Sequence, residues 1–326
     1  MLDSEELRQL NSLPLGFLES TPDKLYQLLP QPTLIHIKGR DLRPLFFSVL
    51  QHGNEPTGLM AVQGLLKKHF GSELPRSISI FVGNVLAART GVRHLVNQPD
   101  YNRIWPGTEY PYCAETQLMQ QVVDEMTRRD VVLSVDIHNN TGINPHYACI
   151  NKLDNRFIHL ANLFGRLIVY FIRPKGVQSA AFAEHCPAVT LECGKPGQKY
   201  GIQHAQNFLE ACLHLSELPD HPVPVGDIDL FHTVAQVTIP TEVNFSFDNQ
   251  ACDLLLDGDL ERMNFTEVPA GTAIGQLKNY PTLPVVALDE WGEDKTTDYF
   301  GIEQNELVMR KNVMPSMLTL DEKVIR

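Results

Sequence analysis

His52-Gly53-Asn54-Glu55 and, far along the chain, His138 are the residues best suited to chemistry. A histidine and a carboxylate three residues apart, joined by a distant histidine, can give a catalytic zinc three ligands and leave the fourth position for water. The run Pro44 to Leu50 before the motif reads as a buried strand. After it, Leu59, Met60, Val62, Leu65, Leu66 and Phe70 fall at helical spacing. His52 and Glu55 therefore belong on a strand-to-helix loop, where sites of α/β folds collect. His138 closes a second apolar run, Val131 to Ile137, and turn residues Asn139-Asn140-Thr141-Gly142 follow it. Asp136 shares the strand face of His138 and is placed to accept its ring proton. A lone histidine at a strand end does no more than satisfy that end; the His-x-x-Glu on another strand end is what argues for ligation.

Ala188-Val189-Thr190-Leu191-Glu192-Cys193-Gly194 is a further apolar run broken by one carboxylate. A glutamate in a buried strand is costly without a partner or a task. Taking a proton from a zinc-activated water would be such a task. Between Asn84 and Gly107 lie Arg89, Arg93 and the stretch Asp100-Tyr101-Asn102-Arg103-Ile104-Trp105. Arginine holds carboxylates with a planar fork and stabilises a developing oxyanion.

In type, order and spacing these motifs resemble the succinylglutamate desuccinylase and aspartoacylase family, a branch of the zinc carboxypeptidase superfamily. The likeness runs over roughly residues 45 to 200. His52-Gly53-Asn54-Glu55 is similar to the family's zinc motif, and Asp136-Ile137-His138 to the segment bearing its second zinc histidine. The resemblance implies one zinc per chain on His52, Glu55 and His138. It makes Arg93, nine residues after Asn84, the arginine that polarises the scissile carbonyl, and Asn102 with Arg103 the pair that grips a substrate carboxylate. Glu192 becomes the catalytic glutamate. The implied fold is a zinc-carboxypeptidase-like central mixed sheet flanked by helices, with a smaller C-terminal all-β domain.

The chain departs from the family where the substrate side chain would be held. No arginine stands between Ser179 and Pro187, where aspartoacylases carry one about ten residues before the catalytic glutamate; the nearest is Arg173. Tyr101 and Trp105 are expected to reshape the nearby pocket, while for His146, after the turn that follows His138, a surface or helix-face place is favoured over one lining the pocket.

The 326 residues carry a net charge of −12, which argues against nucleic acid. A local arginine cluster can still attract an anion. Six cysteines without a C-x-x-C pair read as reduced and buried. Met1-Leu2-Asp3-Ser4-Glu5-Glu6 is acidic where a secretory signal would be basic, and no apolar run is long enough to span a membrane, so a cytoplasmic location is expected.

Strands are expected at about 33–38, 45–51, 77–83, 131–138, 147–150, 168–172 and 188–193, and helices at about 57–70, 114–129, 154–165 and 202–217. This alternation predicts a mostly parallel sheet. A Pro-rich joint at Leu218 to Gly226 separates residues 1–220, read as the catalytic α/β domain, from 221–326, read as small and β-rich. There, one strand-like segment runs from His232 to Ile239. The expected activity is zinc-dependent hydrolysis of the amide bond of an N-acyl amino acid. The expected partner is a small anionic acyl-amino-acid substrate, with no nucleic acid and no membrane; the sequence leaves a homo-oligomer open. Two rival readings use the same residues: a carboxypeptidase-like metallopeptidase, and a non-enzymatic metal-binding protein on this fold.

Overall fold

The computed structural model describes residues 6–248, 251–278, 280 and 282–325. The Met1–Glu5 stretch read above for targeting lies outside them. Two compact units emerge: residues up to Asn139 with His146–His232, and Asn140–Pro145 with Thr233 onward.

The first unit is built on nine strands: β1 (Arg8–Leu10), β2 (Thr33–Ile37), β3 (Gly39–Val49), β4 (Leu74–Val82), β5 (Leu133–His138), β6 (Tyr147–Ile150), β7 (Leu167–Tyr170), β8 (Ala188–Glu192) and β9 (Asp229–His232). Their spatial order is β1-β2-β4-β3-β5-β8-β6-β7-β9. The central β4, β3, β5 and β8 are parallel, while β2 on one side and β6 on the other meet them antiparallel. The sheet is thus mixed, with one parallel block whose carboxyl ends share an edge. Phe46, Phe47, Val49, Val135 and Val189 are wholly buried. Strands buried on both faces in this way fit a sheet covered by helices on both sides.

The helices are α1 (Thr57–Lys68), α2 (Val85–Thr90), α3 (Ala114–Arg128), α4 (Asn155–Phe164), α5 (Gln178–Phe182) and α6 (Lys199–Leu213). Leu59, Val62 and Leu65 of α1 are fully buried, as the spacing predicts. Phe70 and Met60 are not: α1 stops at Lys68, Phe70 falls in the following turn at 81% exposed, and Met60 is 39% exposed. Five cysteines are buried, Cys113 is half-buried, and all six are free thiols.

The second unit has its own core, including Val243, Phe245, Leu254, Ala287 and Leu307. Two strands, β10 (Gln236–Thr238) and β14 (Val286–Leu288), pair antiparallel. Five more form a sheet ordered β11-β12-β13-β16-β15: β11 (Phe245–Ser246), β12 (Leu254–Leu256), β13 (Ala273–Leu277), β15 (Phe300–Glu303) and β16 (Glu306–Met309). This is the smaller β-sheet domain. The segment expected as one strand from His232 to Ile239 is two. β9 ends at His232 beside β7 in the first unit's sheet, and β10 begins at Gln236 in the second unit. Among the described residues, no helix is long and apolar enough to cross a membrane.

Candidate active site

The chain leaves β3 through Leu50, whose φ of 55° lies in the left-handed region. A non-glycine residue there is uncommon; Leu50 holds it while wholly buried. The turn carries His52, Gly53 and Glu55 over the end of the sheet. Gly53 is required by closeness: a Cβ there would lie 2.2 Å from the backbone of Ala87 and Ala88 in α2. Its N–H donates to the Arg93 carbonyl at 3.0 Å, which ties the motif to the arginine loop.

His52, Glu55 and His138 converge. His52 Nδ1 lies 2.7 Å from Glu55 Oε1, and His138 Nδ1 lies 2.8 Å from Glu55 Oε2. All three side chains are buried. One ligand atom from each lies within 4.8 Å of the others, so the group can hold a metal ion. The far nitrogens are held as well. His138 Nε2 is 2.8 Å from Asp136 Oδ2, as the strand spacing predicts, and His52 Nε2 is 2.9 Å from Asp100 Oδ1. Each imidazole therefore meets a carboxylate at both nitrogens. A neutral ring has one N–H, so four such contacts require charged rings or a cation between the Nδ1 atoms and Glu55. Two neutral imidazoles and a carboxylate, oriented by outer carboxylates, form a suitable donor set for zinc.

The charges are set by this packing. Burial works against ionised Glu55, yet the two histidines hold its carboxyl well below the usual range. Burial also works against a charged His138, but Asp136 and Glu55 push its pKa well above the ordinary value. Asp100 is opposed by burial and held low by the bond and charge of His52, then by Arg93 and Arg103.

Arg93 donates to Asp100 Oδ2 from Nε at 3.1 Å and from one terminal nitrogen at 2.9 Å. Its other terminal nitrogen lies 3.6 Å from Glu55 Oε1, at the edge of the metal group. Arg103 donates to the Asn102 carbonyl at 2.6 Å; burial lowers its pKa, Asp100 and Glu55 raise it, and Arg93 lowers it. Asn102 is fixed by accepting the Gln178 backbone N–H on Oδ1 at 3.4 Å. Glu192 is buried at the end of β8, directly opposite His138 of β5 and Tyr147 of β6. Residues paired across neighbouring strands share a face, so Glu192 shares the sheet face of His138. Its charge, after burial, helps to push up the pKa of Tyr147.

Among the surroundings, Tyr101 and Trp105 depart from expectation. Tyr101 and Trp105 do not shape a pocket. Both are at most 1% exposed, and Trp105 sits edge-on to Phe81 and Phe182 at 5.6 and 6.1 Å. Rings of this size on the inner side of a turn bury more apolar area than they could at a wet site. His146 stacks on Tyr200 at 5.1 Å and neighbours His204 at 5.2 Å, and burial lowers its pKa. Arg173 is engaged by Glu109 at 3.0 and 3.2 Å.

Sequence reasoning left Asp100 without a role, although it joins His52 to Arg93 and caps Asn102 by accepting its N–H at 2.8 Å. The only signal was indirect: the far nitrogen of a ligating histidine meets a carboxylate, a carbonyl or water, and nothing in the sequence names which.

A mixed sheet carrying at its strand ends a His-Glu-His group that could hold a metal ion, with arginines beside it, fits an α/β hydrolytic fold. The family model for the succinylglutamate desuccinylase/aspartoacylase catalytic domain matches residues 45–218, and the chain belongs to that family of hydrolytic enzymes. Solved structures share the fold. Succinylglutamate desuccinylase from Chromobacterium violaceum is 19% identical with a TM-score of 0.54, covering 85% of this chain and 87% of its own. A succinylglutamate desuccinylase/aspartoacylase from Rhodobacter sphaeroides is 14% identical with a TM-score of 0.53, covering 87% and 85%. The product-bound ectoine utilization protein of Ruegeria pomeroyi is 17% identical with a TM-score of 0.55, covering 86% and 81%. A search of curated proteins finds no match.

Proposed function

We propose that this protein is a zinc-dependent amidohydrolase that cleaves the amide bond of a small N-acyl amino acid. The observation that carries the reading is the convergence of His52, Glu55 and His138, with Asp136 and Asp100 behind the two rings. Bound there, zinc supplies a Lewis acid that polarises a carbonyl and lowers the pKa of water. The chain's own residues do the rest. Glu192, on the face of His138, takes the proton of the attacking water and delivers it to the leaving amine. Arg93 offers its remaining guanidinium nitrogen to the oxyanion, while Asp100 holds the rest of the fork still. Asn102 and Arg103 hold the substrate carboxylate and thereby place the amide.

The arginine-free stretch from Ser179 to Pro187 bears on the substrate. Ser179, the first residue of the stretch, and Gln178 just before it are wholly buried; Gln178 Nε2 donates to Ser134 Oγ at 2.6 Å, and Ser179 Oγ donates to Asn151 Oδ1 at 2.7 Å. These groups are neutral, so an aspartate-type second carboxylate is not what this stretch is built to hold. Metal analysis and a substrate screen test the reading together. Purified protein should carry about one zinc per chain, and a panel of N-acyl amino acids should include at least one that releases free amine. His52→Ala and His138→Ala should lose most of the metal while keeping the fold. Full occupancy in both variants would remove these ligands from the site.

A further inference from the structure

We propose that Asn139, to which no role has yet been given, is a positioning residue that sets the metal group and Glu192 at a fixed separation; this rests on the reading above. Asn139 follows His138 and is 4% exposed. Its backbone N–H donates to Glu55 Oε2 at 3.1 Å. Its side-chain Oδ1 accepts the Thr57 N–H, the first of α1, at 3.3 Å. The residue before α1, Pro56, makes no side-chain cap. An amide from another strand end thus satisfies a donor that a helix start leaves open. Its Nδ2 donates to the Gly194 carbonyl at 2.8 Å, two residues past Glu192.

One side chain therefore spans three strand ends. It grips the start of α1 two residues after Glu55, sits beside His138, and holds the turn after β8. That turn is tightly placed: Gly194 has φ +72°, and a Cβ there would lie 3.1 Å from His146 Nε2 and from Gln198 Oε1. The Cys193 N–H adds a bond to the His138 carbonyl at 3.0 Å. The task needs an acceptor facing Thr57 and a donor facing Gly194 on one short side chain, which asparagine supplies and aspartate does not. An apolar residue of equal volume would fill the space without fixing the separation.

The test compares the full chain with Asn139→Asp, Asn139→Ala and a stability control, Ile35→Val, a wholly buried β2 residue remote from the strand ends in sequence. Each protein is loaded with cobalt(II), and its visible ligand-field spectrum, steady-state kinetics and amide hydrogen exchange over residues 52–60 and 188–198 are measured. Both Asn139 variants should lose roughly 10- to 100-fold in kcat, the cost typical of residues that support metal ligands from behind. KM should change far less, and the cobalt bands should shift. Exchange at 188–198 should rise in both variants, and at 52–60 in Asn139→Ala. Ile35→Val should lower the melting temperature without moving these readouts. A wild-type spectrum and kcat in Asn139→Asp would overturn the proposal, as would the same changes in Ile35→Val. If the wild-type chain takes up no cobalt and releases no amine from any acyl amino acid, the amidohydrolase reading fails by itself. Exchange then decides: unchanged protection at both segments in Asn139→Ala overturns the tie as well.

Discussion

Glu192 and Arg103 are separable in what they do, and each has a substitution that isolates it. Glu192→Gln keeps the shape of a buried side chain and removes the base. Metal content should stay at the wild-type value while turnover falls by roughly 10²- to 10⁴-fold, the range of general acid–base catalysis. Near wild-type turnover would take Glu192 out of the reaction. Arg103 is argued to hold a carboxylate through two parallel hydrogen bonds. Lysine is a point charge and cannot reproduce that fork. Arg103→Lys should therefore raise KM and lower kcat together, whereas Arg93→Ala, at the oxyanion, should lose mainly kcat. The methyl ester of the true substrate should be processed poorly by the wild type. Equal activity on acid and ester would sink the carboxylate clamp, and an uncharged amide would become the better substrate class.

At the scale of elements, the site depends on loops meeting at one edge of the sheet, and glycine decides how closely they meet. Gly53→Ala would drive a Cβ to 2.2 Å from the α2 backbone, where no flexible side chain can yield. The β3–α1 loop must then move with His52 and Glu55. The expected result is a large loss of zinc affinity, measured by chelator competition, with the far-ultraviolet spectrum little changed. Zinc binding equal to wild type would mean that the loop's position is not what organises the ligands. The strands that build this edge are legible because both faces of each are buried, so apolar residues recur along them and the polar residues inside stay small or acidic: Leu133 to His138 alternates apolar residues with Ser134 and Asp136, and Ala188 to Glu192 is apolar but for Thr190 before its terminal carboxylate. The ends of helices were less so. α6 was expected at 202–217 and runs Lys199–Leu213, because apolar spacing reports the buried face and says nothing about a first turn of Lys199-Tyr200-Gly201. α2 and α5, of 6 and 5 residues, are too short to show a period. Asp100 escaped for a related reason: its partner His52 is 48 residues away, and only the folded chain brings them together.

For the molecule as a whole, acid should expose a cost built into β2, the strand next to the edge of the large sheet. His36 on β2 is 7% exposed and lies between the Ser79 hydroxyl, 2.8 Å from Nδ1, and the Gln9 side-chain carbonyl, 3.1 Å from Nε2. That geometry suits a neutral ring that accepts from Ser79 and donates to Gln9. Burial, and then the charge of Arg129, lowers its pKa from 6.5 to about 4, against an opposing contribution from Glu125. The unfolded chain takes up the proton near 6.5 and the folded chain only near 4. The folded state thus binds fewer protons between these values, and stability falls as pH drops through that window. Above about 6.5 neither state binds the proton, and below about 4 both do, so the contribution is flat on either side. The full loss is at most about 3.4 kcal/mol, since each tenfold change in proton affinity is worth about 1.4 kcal/mol. His36→Gln cannot be protonated and retains a donor and an acceptor. Urea unfolding of both proteins between pH 7 and pH 4 should show the wild type losing more stability than His36→Gln across the window, with parallel curves above it. Parallel curves throughout would mean that His36 titrates alike in both states and that acid acts elsewhere in the fold.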